Sequence, residues 1–394
     1  MRLAVLGGST PFVVPLFADL KLADEAGSLS LHGRDAVLLS RVTTYAQQQL
    51  PRWSVTASTS LPTALTRADV VLHQIRYGGL AGRAADERLA ARMGVAADET
   101  LGPAALRSAL RTVPPLRQVA AAIAASAPGA LVVNLTNPLS VTTAVLAQAG
   151  LDVIGLCELP QATAGTVADL AGGGRLSWSY TGLNHRGFLH HLTLDGRDVL
   201  PLLGQRLPDR TALGVLGSEV TALDALPLKY FGLPAGHAPH GAGRAERLTD
   251  IRRRAGEELQ APGAGPQRSG PGDATRPPSL RERPMPWWSL TVGPVLRAVA
   301  TSTDVQTVLN VADPDGLVRE RRVTLGGRDW QPLPGEPPPS SLAPLLASAE
   351  THERAVLAAV TDPSADGLRK ACRLDPLLPT APDADALRLL LGFC

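Results

Sequence analysis

Residues 2–10 read RLAVLGGST, an apolar run that ends in two glycines and two small polar residues. A short run without polar alternation is a strand buried on both faces, and the glycines let the chain turn at its end. Pro11 follows, and residues 12–23 read as a helix, so the unit is strand, glycine turn, helix. The pattern repeats downstream. Strands are predicted at 28–32 (SLSLH), 69–73 (DVVLH), 130–134 (ALVVN) and 152–156 (DVIGL), with helices at about 35–49, 104–126 and 138–149. This alternation predicts an α/β fold with a parallel, doubly wound sheet. Right-handed crossovers place every strand's carboxyl end on one edge, where ligands bind. Residues 7–10, 32–34, 74–76, 134–137 and 157–158 fall on that edge.

The second half of the chain is more broken. Strand-like runs occur at 176–180, 188–194, 304–311 and 319–325, and helices are predicted at 290–301, 341–360, 365–372 and 382–392. Residues 257–286 are rich in Pro, Gly, Arg and Ser and read as a mobile loop. A length of 394 residues suits two domains, a dinucleotide-binding one over 1–160 and a second α+β one over 161–394 for substrate, metal and oligomerisation. With 44% apolar residues the chain can bury a large core. A net charge of +2 argues against nucleic acid or an acidic membrane as partner. Three scattered cysteines (Cys157, Cys372, Cys394) do not make a disulfide framework. The start lacks a signal-peptide pattern and no apolar run reaches about 18 residues, so the expectation is a cytoplasmic protein.

At the glycine turn, the backbone N–H groups of Gly7, Gly8, Ser9 and Thr10 can face a pyrophosphate. The third glycine of GxGxxG is missing, so an ordinary strand-to-helix turn is the alternative. His32-Gly33-Arg34 stands where an NAD-binding fold has an acidic residue for the ribose; Arg34 suits a 2′-phosphate and hence NADP, or is simply solvated.

The middle of the chain is more specific. Residues 74–103 read QIRYGGLAGRAADERLAARMGVAADETLGP, followed by NLTNP (134–138), IGLCELP (154–160) and GLNHRGF (182–188). In order and spacing these resemble glycoside hydrolase family 4, the NAD- and manganese-dependent glycosidases, and most closely its 6-phospho-β-glucosidase branch. LKYFGL (228–233) is similar to the family's LRYYYL. The resemblance implies a lactate/malate-dehydrogenase-like fold, NAD (with NADP possible) and Mn²⁺ or another divalent metal as cofactors, and a homodimer or homotetramer. The substrate implied is a small phosphorylated disaccharide or aryl glycoside. It further implies C3 oxidation of the sugar by NAD⁺, metal-assisted removal of the C2 proton, elimination of the aglycone, water addition and re-reduction. This is the family that departs from the usual carboxylate pair.

The residues carry these roles as follows. A thiolate at Cys157 and an imidazole at His185 suit a divalent metal, and the resemblance assigns them to it. Tyr230 is the candidate base and needs a nearby cation to ionise. Glu158 is the candidate leaving-group acid, or a contact to a substrate hydroxyl. Arg83 matches the family arginine and suits a sugar phosphate. Asn137 can reach both cofactor and sugar; Asn184 contacts substrate or orients the metal ligand. Gln74 and Arg76 sit where nicotinamide and substrate meet, with a salt bridge to Asp86 or Glu87 as the alternative for Arg76. Asp86, Glu87 and Arg88 are expected to form a structural charge cluster. Trp287 and Trp288 either stack on a sugar or plug the core, and His237 and His240 lie on a loop that could add metal ligands. Besides a 6-phospho-β-glucosidase, the sequence leaves open a 6-phospho-α-glucosidase, a glycosidase on unphosphorylated substrates, a lactate/malate-type dehydrogenase, and a non-catalytic relative.

Overall fold

The computed structural model describes residues 1–22, 26–237, 243–259, 276–378, 387–388 and 390. Thirteen strands are described: β1 (Arg2–Leu6), β2 (Gly27–His32), β3 (Trp53–Ser58), β4 (Val70–His73), β5 (Leu131–Asn134), β6 (Val153–Leu156), β7 (Leu176–Leu183), β8 (Arg186–Leu194), β9 (Arg197–Asp198), β10 (Leu226–Pro227), β11 (Val305–Ala312), β12 (Val318–Gly326) and β13 (Asp329–Pro332). Nine form one sheet in the order β13-β12-β11-β6-β5-β4-β1-β2-β3. From β6 to β3 all neighbours are parallel, which is the doubly wound order 3-2-1-4-5-6 with its switch point beside β1. The apolar runs explain the burial. Leu3 and Val5 face one core with Leu16, Phe17 and Trp288, while Ala4 and Leu6 face the other with Val113 and Leu116, as the two-residue period of a strand requires. The fold class read from the sequence is therefore the one observed.

The later strands depart from the sequence reading. β11 runs antiparallel to β6 through Leu309↔Leu156 and Asn310↔Gly155, and β12 and β13 follow antiparallel. The runs assigned to the second half thus extend the first sheet, and a boundary at residue 160 does not separate the two sheets. Only β7, β8, β9 and β10 form the smaller antiparallel sheet. Several elements escaped the sequence reading, among them β3, the helix Gly79–Arg92, the helix Leu159–Leu170 and the helix Arg244–Glu258. β3 is an edge strand on which only Val55 is buried, so it carries no apolar pattern. The helix Gly79–Arg92 is weakly amphipathic. The first helix starts later than predicted, at Val14, because Thr10 caps a 3₁₀ turn over Pro11–Val13 first. The helix predicted at 290–301 begins as a π turn, Trp288–Val292, before Gly293–Thr301. Pro294 has no N–H to donate back to Leu290, which favours the wider turn.

The predicted loop 257–286 is ordered at both ends. The helix Arg244–Glu258 leads into it, Ser279 N–H donates to Glu258 (3.0 Å), and Arg254 pairs with Glu282 (2.5 Å). Residues 260–275 lie outside the described residues, as do His240, Cys394 and most of the helix predicted at 382–392. Cys157 and Cys372 are buried free thiols. Among the described residues no helix is long and apolar enough to cross a membrane.

Candidate active site

The carboxyl edge of the parallel strands gathers most of the residues singled out from the sequence. At the glycine turn, Gly7 adopts φ +93°, and a Cβ there would meet Gln74 O at 2.9 Å, so only glycine fits. The N–H groups of Gly7 and Gly8 both donate to His32 O (3.0 and 2.6 Å). They therefore do not face outward as expected; Ser9 and Thr10 are left to offer backbone donors at that edge. Arg34 is exposed. Its neighbour Asp35 caps the next helix through Leu38 N–H (3.1 Å) and pairs with Arg252 (3.1 Å). Gln74 is half-buried, with a buried Nε2 that no protein acceptor meets.

Behind this edge His73 is fully buried between Asn134 Oδ1 (Nδ1, 2.9 Å) and Tyr77 Oη (Nε2, 3.1 Å). Asn134 gives its Nδ2 to Thr142 and Thr143 (2.8 and 3.0 Å), so its Oδ1 accepts and the imidazole donates to it. Burial lowers the His73 pKa to about 4. Between pH 6.5 and 4 the unfolded chain binds a proton that the folded chain refuses, so stability should fall with pH across that window, by up to about 3 kcal/mol. Asp19 and Asp98, raised to about 6 by burial, act in the opposite sense. Comparing the pH dependence of urea unfolding in the wild type and in His73→Gln cancels them. The slope assigned to His73 should be missing from the variant.

Glu99, at the start of the ETLGP segment, is the hub of the edge. It accepts from Arg76 (2.8 Å), from Arg83 and from Asn137 Nδ2 (2.8 Å). Burial pushes its carboxyl up, but Arg76 and Arg83 outweigh this and hold it well below the usual carboxylate range. Arg83 is buried and also bonds Glu87 (2.7 Å). Arg76 thus pairs with Glu99, not with Asp86 or Glu87. The expected Asp86-Glu87-Arg88 cluster is not formed: Asp86 binds Arg111 (2.5 Å), Glu87 binds Arg83 and accepts from Ala245 N–H (3.2 Å), and Arg88 is exposed. Two further arginines close the wall. Arg244 opens the helix Arg244–Glu258. Arg283 lies over the rings of Phe12 (4.2 Å) and Trp287 (5.1 Å), and burial, with Arg76 and Arg244 adding repulsion, lowers it to about 9. Trp288 is in the core and donates Nε1–H to Phe12 O (3.0 Å), whereas Trp287 stays half-buried under Arg283. His237 is half-buried at the end of a 3₁₀ helix.

The second half of the site is built on the β7–β8 hairpin. Its two-residue turn is Asn184-His185, with only the second residue, His185, at positive φ (+64°), as in a type II turn. Thr100 Oγ1 meets His185 Nδ1 at 2.7 Å, and the ring stacks on Tyr230 at 4.1 Å between centroids. Cys157 ends β6 and is buried; burial pushes its thiol well above the usual range, with Glu158 and Glu320 adding repulsion, while the Asn184 side chain works the other way. Burial likewise raises Tyr230 well above its usual value, and Asp98, Glu99, Cys157 and Glu158 all add to it. Glu158, at the N-cap of the helix Leu159–Leu170, is raised chiefly by burial. Gly232, where the family has an aromatic, packs on Arg210, which pairs with Glu219 (2.5 Å).

Glu99, Arg244, Arg283 and Glu320 were not picked out from the sequence. Glu99 stood inside a motif already quoted; Glu320 carried no local signal. Among the described residues no group of three or more His, Cys, Asp or Glu side chains is gathered for a metal ion. The donors present are a thiol, an imidazole and the buried Asn184 Oδ1, which has no protein donor. A soft, a borderline and a hard donor with open positions fit a divalent metal. The glycine turn beside the switch point fits a dinucleotide.

Residues 4–172 match the family 4 glycosyl hydrolases. The "Probable 6-phospho-beta-glucosidase" of Bacillus subtilis (strain 168) is 36% identical over 180 residues, which cover 42% of this chain. The match spans only 41% of that relative's own length. Over the whole chain the fold is that of the 6-phospho-beta glucosidase from Thermotoga maritima, solved with NAD and glucose-6-phosphate: TM-score 0.85, 22% identity, 100% of this chain and 98% of that one. Lactate dehydrogenase from Eimeria maxima, solved with NADH and oxamate, shares the fold more distantly, with a TM-score of 0.58 and 14% identity over 91% of this chain and 95% of that one.

Proposed function

We propose that the chain, a family 4 glycosyl hydrolase sequence over residues 4–172, is a nicotinamide- and divalent-metal-dependent glycosidase acting on 6-phospho-β-glucosides. The observation that carries the reading is the convergence of Cys157, Asn184, His185 and Tyr230 beside the carboxyl edge of a doubly wound sheet. When bound, the nicotinamide would supply a hydride acceptor and donor for C3 of the sugar and the cation a Lewis acid beside it. Ser9, Thr10, Arg34 and Gln74 would receive the dinucleotide, NAD or NADP, while Gly7 and Gly8 shape the turn that brings it close. Cys157 and His185 would hold the metal.

Tyr230 takes the C2 proton. Its hydroxyl is buried among acidic groups, so it ionises only with a cation close by. Glu158 protonates the leaving oxygen, and its raised pKa is the direction an acid needs. Asn137 and Asn184 orient the sugar. The sugar phosphate faces the arginine wall of Arg76, Arg83, Arg244 and Arg283, where Glu99 and Glu87 together neutralise only part of the charge.

Purified protein under reducing conditions should release p-nitrophenol from the 6-phospho-β-glucoside only when both Mn²⁺ and NAD⁺ are present, without net NADH. Release from the 6-phospho-α-glucoside or from an unphosphorylated glucoside instead would overturn the substrate assignment. Net NADH would point to a dehydrogenase.

A further inference from the structure

Glu320 lies on β12, buried, and close enough to Cys157 for its charge to raise the thiol's pKa. No Arg, Lys or His pairs with it among the described residues. Its carboxylate is held by neutral donors alone. Tyr180 Oη–H bonds Oε2, and the Nδ2 groups of Asn184 and Asn310 both bond Oε1, each at 3.2 Å. Because both amides give their NH₂ to one oxygen, their own Oδ1 atoms are turned away from it. Those two oxygens are buried and neither meets a protein donor. A buried charge without a counter-ion and buried carbonyl oxygens without donors are costly arrangements. A cation beside Cys157, whose thiol interacts with both the Asn184 side chain and Glu320, offsets the buried charge.

We propose that Glu320 is a positioning residue for a divalent cation held at Cys157 and His185: it turns the Asn184 carbonyl oxygen away from itself and supplies negative charge nearby, without touching the cation. The proposal rests on the metal-dependent reading above. Outer carboxylates and amides that orient metal ligands typically change affinity ten- to a hundredfold when replaced.

The test is calorimetric titration of MnCl₂ into metal-free protein, comparing the wild type with Glu320→Gln. The glutamine keeps the shape and removes the charge; its NH₂ takes the place either of Oε1, which both amides meet, or of Oε2, which Tyr180 meets. Mn²⁺ affinity is expected to fall about ten- to a hundredfold. NAD⁺ affinity should be unchanged, and the metal-free melting temperature should hold or rise, because an unpaired buried charge has been removed. A merely structural role would instead lower the melting temperature and NAD⁺ affinity along with Mn²⁺ binding, and that result overturns the proposal. Equal Mn²⁺ affinity in the two proteins overturns it while leaving the metal site standing. Mn²⁺ binding by neither protein overturns the metal-dependent reading and the role of Glu320 together.

Discussion

Replacing Cys157 by Ser is expected to reduce Mn²⁺- and NAD⁺-dependent release of p-nitrophenol from the 6-phospho-β-glucoside by about a thousandfold or more. Serine nearly preserves the shape of this buried side chain, so the core around β6 should survive. What changes is the ligand. A thiolate is the softer and more easily ionised donor, and the imidazole of His185 accompanies it. Lewis-acid activation is worth several kcal/mol at the transition state, and each 1.4 kcal/mol is tenfold in rate, so about three powers of ten follow from losing the cation. The thiol is also held protonated by burial, with Glu158 and Glu320 adding to it. Metal binding should therefore release a proton that the serine variant does not release. Activity assays, Mn²⁺ titration in two buffers of different ionisation enthalpy, and NAD⁺ binding as a control check this. A variant that keeps a tenth of the activity would remove Cys157 from the metal site.

Glu99→Gln should be the more damaging change for the fold. Glu99 carries bonds from Arg76, Arg83 and Asn137 and stands among four guanidiniums. Removing one partner of a buried ion pair costs about 3–5 kcal/mol. The Glu99 side chain retains 27% exposure, so the lower end applies, about 3 kcal/mol, measured as the loss of unfolding free energy in urea. Glu87→Gln, which disturbs only Arg83 and the Ala245 N–H, should cost less than half as much. Because the arginines hold the Glu99 carboxyl well below its usual value, its contribution is fully present above pH 4.5. It is lost only as pH falls below that. A Glu99 variant as stable as the Glu87 variant would show that the arginine wall tolerates its own repulsion.

The doubly wound half of the fold was legible because its strands are buried on both faces: RLAVL, VVLH and LVVN have no polar alternation, and the helices between them follow. The edge positions Gly7, Gln74, Asn137 and Cys157 were legible for the same reason, since topology alone puts strand ends together. The family motifs added His185, Tyr230 and Arg83, whose positions in the chain are far apart but whose surrounding residues are specific. Local sequence could not say which charges pair. Arg76 has carboxylates ten and eleven residues ahead at Asp86 and Glu87, yet it meets Glu99, because the helix Gly79–Arg92 carries the nearer pair off to Arg111 and Arg83. Nor could it place β11–β13: hydrogen bonding to β6 is a pairing between residues more than 150 positions apart, and either sheet could have taken those strands. Glu320 shows the limit most clearly. In sequence it is one acid between Arg319 and Arg321; only the antiparallel register of β12 on β11 sets it opposite Asn310, beneath the hairpin that carries Asn184, and so beside Cys157.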